Sequence, residues 1–359
     1  MKLYDLLVSS ANTTVQSQKL NGSLFAGHNG PYFDSETSVR NTAHWCITFL
    51  KAFKITNEEK YLKAGTKCGD YLLSSEARPM NKVFYCRTNP EKDFSNGLVG
   101  QAWAIEALVE LYNVTNEAKY IETAIRVFLY HPFDTKYMAW KFLNVDGSYN
   151  GFDKTFNHQL WFAAAGALLK KHDEKIDEYV NLFLNQLNTH LELYSDGCVI
   201  HKGKFLIRSK SEKISYILSR IKSSKEDRDY MKMKSVGYHG FNLYAFAILK
   251  SIYPDHSFFK SEKMIKALKY AASDFFREEL PKSKYGFPYN PPGFEIAYAF
   301  QVFKFEPEET ISKWVSWQIK NCYNFDSNLM SEGDTKDPLT YAARFYEATR
   351  LKNYQLELD

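Results

Sequence analysis

Hydrophobic positions recur along this chain at the helical interval, and the helices they predict come in pairs. Val39, Ala43, Ile47 and Leu50 share one face of a first helix; Leu98, Ala102, Ile105, Leu108 and Val109 share one face of another. A near-copy of one turn follows each. Residues 53–61 read FKITNEEKY and residues 112–120 read YNVTNEAKY, with Thr-Asn-Glu-x-Lys-Tyr in common at an offset of 59. An amphipathic helix begins beyond each turn, for which the Asn is the expected N-cap and Glu occupies the first turn. The repeat unit is therefore a helical hairpin.

Trp45, Trp103 and Trp161, each 58 residues from the next, set the period. A third hairpin is expected over 155–190, turning at Lys171-His172-Asp173. Further pairs are 235–251 with 260–278 and 291–303 with 308–322. The last helix, 337–351, finds a partner in segment 2–19. Six such hairpins either stack as an open solenoid or close into a ring. The unpartnered helices at both ends favour closure. The expectation is an all-α fold, an (α/α)6 barrel of six helical hairpins forming one domain over 1–359; an α-solenoid is the alternative. Residues 202–234 break the period. They carry eleven Lys or Arg against four Asp or Glu, a net +7, which leaves −3 for the rest. This stretch reads as an inserted basic flap that attracts an acidic glycan, or as a solvated charged loop.

Composition narrows the classes. The chain has 359 residues, a net charge of +4, 45% hydrophobic and 25% charged residues, which excludes disorder, collagen, coiled coil and a disulfide scaffold. Aromatic residues reach 16%, suited to stacking on sugar rings as well as to filling cores. No apolar run is long enough for a membrane span, and the first residues lack a signal-peptide pattern. The five scattered cysteines read as free thiols in a reducing compartment, so a cytoplasmic location is expected and the Asn12 and Asn113 sequons have no glycosylation meaning. No P-loop, dinucleotide fingerprint, HExxH or Cys-rich set appears; no metal and no cofactor are expected. The basic charge is local and lacks a recognised binding motif, so nucleic acid is not an expected partner.

The loop before each inner helix combines Gly or Pro with aromatics and with Asp, Glu, Asn, His or Arg. Ring closure would gather all six at one mouth, a concave aromatic setting fit for sugars. In repeat pattern and loop character the chain resembles the six-hairpin glycosidase-like superfamily. That group includes unsaturated glucuronyl hydrolases, N-acylglucosamine 2-epimerases and barrel-type polysaccharide lyases, with relatives encoded beside polysaccharide-biosynthesis enzymes. The stretch from Asn96 and Gly97 through Gly100 to Trp103 looks like the Gly-x-x-Gly-x-x-Trp helix start common there. The resemblance implies a carbohydrate-active protein with an oligosaccharide or polysaccharide partner.

Candidate chemistry clusters in those loops. In residues 151–161, Thr155 can cap a helix, Asp153 precedes it, and Asn157, His158 and Trp161 fill its first turns. A histidine at a helix N-terminus tends to stay neutral and can act as a general base. The plain alternative makes Asp153 a turn residue and His158 structural. In residues 235–242, Tyr238 and His239 stand between two glycines and Asn242 follows. They are a candidate acid and base for β-elimination or epimerisation, with Arg40, Asn157 or Arg344 to neutralise the enolate. Asp34, Arg40 and His44 surround the first inner helix. Arg40 suits a uronate carboxylate, or simply pairs with Glu36 one turn away. Tyr289, Glu295 and Tyr298 lie around another helix start, where Glu295 either caps the helix or enters the mouth. Asp337 reads as an N-cap, with Tyr341 and Arg344 on the same face.

Three readings follow. The first is a glycoside hydrolase or lyase acting on an acidic oligo- or polysaccharide, with Asp153 and Glu295 as the flanking carboxylates. The second is a sugar epimerase working through two bases, His158 and His239. The third is a non-catalytic glycan-binding barrel.

Overall fold

The two copies of the repeated turn fold alike in the computed structural model, which describes residues 1–201, 206, 211–212, 214–216, 218 and 223–358. After α1 (Leu3–Val15), α2 (Val39–Thr56) ends at Thr56, and α4 (Gly97–Thr115) ends at Thr115. Each threonine hydroxyl donates to the carbonyl four residues back, of Ala52 at 2.9 Å or Leu111 at 2.8 Å. Each then accepts the N–H of Glu58 or Glu117. The asparagines correct the expectation made for them. Asn57 and Asn116 adopt φ of 58° and terminate the preceding helix, while Glu58 and Glu117 precede α3 (Glu59–Leu73) and α5 (Ala118–Leu129). Asn tolerates the left-handed region better than other non-glycine residues, so it marks a helix end here.

The remaining hairpins are α6 (Phe156–Leu168) with α7 (Glu174–His190), α9 (His239–Ile252) with α10 (Glu262–Ala272), and α12 (Pro292–Phe303) with α13 (Glu308–Cys322). The last inner element is α14 (Pro338–Ala343), continued as a 3-10 helix over Arg344–Arg350. Inner helices pack in sequence: α2 on α4, α4 on α6, α6 on α9, α9 on α12, α12 on the 3-10 segment, and that segment back on α2. The fold is a closed (α/α)6 barrel. Inner helices are buried all round, as residues 39–50 and 97–109 are without exception. Their near-continuous apolar runs follow from that, whereas the outer helices alternate faces.

Asp337 latches the ring. Its carboxylate accepts the Thr340 N–H at 3.2 Å, capping α14, and the N–H groups of His28 at 2.7 Å and Gly30 at 3.1 Å from the far side of the closure. A Cβ on Gly27 would stand 1.9 Å from Thr340 Oγ1. The chain ends also meet, through Leu3 N–H to the Tyr354 carbonyl at 3.0 Å.

Several elements depart from expectation. The helix expected over 260–278 is split, because Ser273 adopts an extended conformation and caps α11 (Asp274–Glu279). No strand was expected, yet β1 (Phe133–Asp134), β2 (Ala139–Leu143) and β3 (Tyr149–Phe152) form an antiparallel sheet between α5 and α6. Lys141 stands opposite Phe152 and Leu143 opposite Tyr149. The Asp146-Gly147 dipeptide at its turn, with Gly147 at φ 86°, is the hairpin signal. A two-stranded ladder of β4 (Tyr323–Asn324) and β5 (Leu329–Met330) follows α13. Most of 202–222, the greater part of the expected basic flap, lies outside the described residues. The described end of that stretch belongs to α8 (Lys225–Gly237), which Ser224 opens by accepting the Asp227 N–H. All five cysteines are buried and free. Among the described residues no helix is long and apolar enough to cross a membrane, and no side-chain group could hold a metal ion.

Candidate active site

Ring closure brings the N-termini of the inner helices to one end. There they surround a cleft of about 220 Å³ to which all six inner-helix turns contribute. Asn29, Tyr32, Asp34 and Arg40 come from the first; Asn96 and Trp103 from the second; Asn157 and His158 from the third. Tyr238, Tyr289 and Arg344 represent the other three.

Asp153 and His158 form the first functional unit. His158 lines the cleft, and its Nδ1 lies 2.8 Å from Asp153 Oδ2. Asp153 is buried behind the ring, where it also accepts the N–H groups of Leu98 at 3.0 Å and Thr155 at 3.1 Å. Burial alone would raise its pKa. The facing His158 and the two N–H groups outweigh burial and hold the carboxyl below the usual carboxylate value. An ionised Asp153 places the imidazole proton on Nδ1 and leaves Nε2 as the nitrogen available to the cleft. The approach is tight. Gly97, at φ 56°, would put a Cβ 2.2 Å from Asp153 Oδ2 and 2.9 Å from His158 Nδ1.

Two guanidiniums form the second unit, and they differ. Arg344 has every N–H engaged. Nε and Nη2 donate to Glu347 at 2.9 and 2.6 Å, Nη2 to Glu295 at 2.9 Å, and Nη1 to Asn290 and to the Tyr289 carbonyl. Among the described residues Arg40 is engaged through Nη1, to Asn29 at 2.9 Å and Glu36 at 3.2 Å, and neither its buried Nε nor its Nη2 has a hydrogen-bond partner. Both are held over aromatic rings: Arg40 4.4 Å from the centre of Trp103, and Arg344 5.3 Å from that of Phe241. The Glu36 pair weighed against a ligand role is formed, yet the Nε–Nη2 edge of Arg40 is left without a partner among the described residues.

Asp34 brings a carboxylate to the cleft. It is bonded to Lys92 at 2.9 Å, Asn89 at 2.7 Å and Arg87 at 3.4 Å. Burial opposes its ionisation, but these partners prevail and lower its pKa. Tyr238 and Tyr32 share a hydroxyl–hydroxyl bond of 2.8 Å. Burial and neighbouring tyrosines push both phenols above their ordinary value, so near neutral pH both stay protonated and can donate hydrogen bonds.

Other residues expected at the mouth serve the interior. Glu295 is fully buried behind Arg344; burial and the nearby Glu347 charge push its carboxyl well up despite the guanidinium. His239 turns away from the cleft. Its Nε2 donates to the Ala267 carbonyl at 3.0 Å and its Nδ1 accepts the Val199 N–H at 3.2 Å, while burial lowers its pKa to about 4. His44 stacks on Tyr346 at 4.0 Å and supports the edge of Trp103; burial and then the charges of Arg40 and Arg344 keep it neutral. Trp161 is buried on Phe241, whose carbonyl takes its indole N–H at 3.2 Å. Asn242 donates to the Tyr238 carbonyl at 2.8 Å. Tyr298 lines a different recess, of about 250 Å³, toward the C-terminal ends of the inner helices.

Arg87, Lys92, His201, Lys234 and Asn290 also line the cleft, though none of them was an expected site residue. Arg87 and Lys92 lie in the approach to α4, upstream of Asn96. Their signal was a run of charges, Glu91 to Asp93, beside Asn96.

No family model matches the chain. It is 40% identical over 369 residues to archaeal glycosylation protein Q of Haloferax volcanii, with 99% of each covered. Three solved structures share its fold at low identity. A D-mannose isomerase matches with a TM-score of 0.66 at 12% identity, over 97% of this chain and 96% of the other. The cellobiose 2-epimerase of Spirochaeta thermophila scores 0.65 at 13%, over 94% and 90%. The GH76A α-1,6-mannanase of Salegentibacter scores 0.58 at 14%, over 97% and 98%. These are six-hairpin (α/α)6 barrels, as the repeat pattern led one to expect.

Proposed function

This chain belongs to the family of archaeal glycosylation protein Q, and on that footing we propose that it is an enzyme acting on an acidic sugar of a glycan. It would move a proton at a carbon beside a carbonyl or carboxyl group. The observation that carries this reading is a backed imidazole, Asp153–His158, lining the same cleft as a guanidinium with an unengaged edge, Arg40.

His158 Nε2 takes the proton from carbon, and the imidazolium that forms is stabilised by ionised Asp153. The electron pair moves onto the carbonyl or carboxyl oxygens. Arg40 receives that charge through Nε and Nη2, a bidentate match to a carboxylate. The phenol of Tyr238 gives a proton to the opposite face of the carbon as Tyr32 passes its own proton along their hydroxyl–hydroxyl bond; solvent then reprotonates Tyr32 and takes the proton from the His158 imidazolium, which completes an epimerisation. Where the neighbouring carbon bears a glycosidic oxygen, expulsion of that oxygen gives the lyase outcome from the same first step.

Two-carboxylate hydrolysis has less support. Asp153 is committed to His158 and Glu295 to Arg344, and neither lines the cleft. The two-histidine scheme keeps His158 but needs a partner other than His239. His201 lines the cleft 4.5 Å from the Tyr238 ring. Isomerase and epimerase names among the fold neighbours agree with proton transfer. Five buried free thiols agree with a reducing, cytoplasmic setting.

The test is turnover in heavy water with glucuronate, galacturonate and mannuronate, free and glycosylated. Deuterium should enter one carbon position and should fail to enter with His158→Gln. Binding without exchange in any of them would leave a glycan-binding module instead.

A further inference from the structure

A second depression adjoins the cleft. It has a volume of about 350 Å³ and lies between residues 90–94 and the turn joining β2 to β3. Lys92 belongs to the lining of both, so the two openings meet at that side chain.

Their chemistry is opposite. The cleft gathers Arg40, Arg87, Lys92, Lys234 and Arg344 around Asp34. The recess presents Glu91, Asp93 and Asp146 beside Lys92, whose ammonium is turned to Asp34 at 2.9 Å. Asp93 pairs with Arg87, and Asp146 accepts from Ser148 at 2.7 Å, which holds the Asp146 carboxyl below its ordinary value. Two amides complete the polar wall. Among the described residues the buried side-chain oxygen of Asn144 has no partner, and the exposed side chain of Asn150 makes no hydrogen bond. Phe94, 38% exposed, offers a ring face steadied by Tyr85 at 5.8 Å.

Carboxylates and amide oxygens accept from hydroxyl groups, and an aromatic face takes the C–H side of a pyranose. A second carboxylate would meet three acids there, while the lysine in the lining, Lys92, is turned to Asp34. We infer that this recess is a sugar subsite for a neutral residue joined to the acidic residue held in the cleft. The substrate is then a glycan of at least two sugars, neutral beside acidic. The inference rests on the acidic-sugar reading of the cleft.

Calorimetric titration of the full chain tests it, with glucuronate, galacturonate and mannuronate as probes, each free, glucosylated, or joined to a second uronate. Adding two or more hydrogen bonds, the glucosylated probe that fits should bind at least about tenfold tighter than its free form. The diuronate should gain nothing. Asn150→Ala removes an exposed side chain that has no hydrogen bond among the described residues, so it folds; it should weaken the glucosylated probe about fivefold, the worth of one hydrogen bond, and leave the free uronate unchanged. Equal affinity for free and glucosylated forms, or an equal loss for both in Asn150→Ala, overturns the subsite while the cleft reading stands. Binding of neutral sugars with none of the uronates overturns the cleft reading, and the subsite with it.

Discussion

Nδ1 of His158 and Oδ2 of Asp153 lie 2.8 Å apart, and the same Asp153 oxygen accepts the Leu98 N–H in the first turn of α4. The dyad thus joins two neighbouring hairpins. Asp153→Asn preserves the shape but can donate an N–H toward Nδ1, which favours the wrong tautomer. Turnover should fall about 10²–10⁴-fold with the fold retained, the usual range for general-base loss. The check is steady-state kinetics beside a thermal melt.

Arg40→Lys keeps the positive charge and loses the two-pronged edge. Affinity for a uronate should drop about 10–100-fold, from a charge-assisted hydrogen bond of roughly 1.5–3 kcal/mol, while a neutral sugar is little affected. Equal losses for both sugars would remove Arg40 from carboxylate recognition.

Gly97→Ala is expected to silence the site from outside it. The left-handed backbone costs roughly 1–2 kcal/mol for a non-glycine residue, and the new methyl would occupy the space of Asp153 Oδ2. The His158 ring signals in an NMR spectrum should shift even where the protein remains folded.

Glu295→Gln separates support from chemistry. The Glu295 carboxyl is already pushed up by burial and by Glu347, so the amide replaces a group that tends to be neutral. Turnover should stay within about tenfold of the parent, since no proton transfer is lost. A loss of several orders of magnitude at unchanged stability would restore Glu295 as a general acid.

His239→Ala should cost stability, by about 1–3 kcal/mol for the unpaired Val199 N–H and Ala267 carbonyl, and not turnover. Burial holds His239 near 4 and His131 near 3, and keeps His44 low as well. Unfolded histidines titrate near 6.5, so below that pH the unfolded chain binds more protons than the native one. Stability should therefore fall as pH drops below about 6.5, by roughly 1.4 kcal/mol per pH unit for each, until the native values are reached. The lowered pKa of Asp153 adds a loss of the same sign further down, from about pH 4 as its native value is approached. Denaturant melts between pH 7 and 4 measure the slope.

The repeat at offset 59, the tryptophan spacing and the character of six loops are local or periodic properties; they determined the succession of hairpins and favoured ring closure over an open solenoid, with the loops at one end. Asp153 and His158 were legible because five residues across a helix start bring two side chains together. Pointing direction was not. Adjacent helix residues project about 100° apart, so with Tyr238 turned to the cleft His239 must turn outward, and only the rotation of α9 against its neighbours decided which. The saturation of Arg344 by Glu295 and Glu347, the open edge of Arg40, and the meeting of Lys92 with Asp34 join residues 49, 11 and 58 positions apart or more loosely placed by loops. Such contacts depend on how whole hairpins dock, which no local pattern encodes.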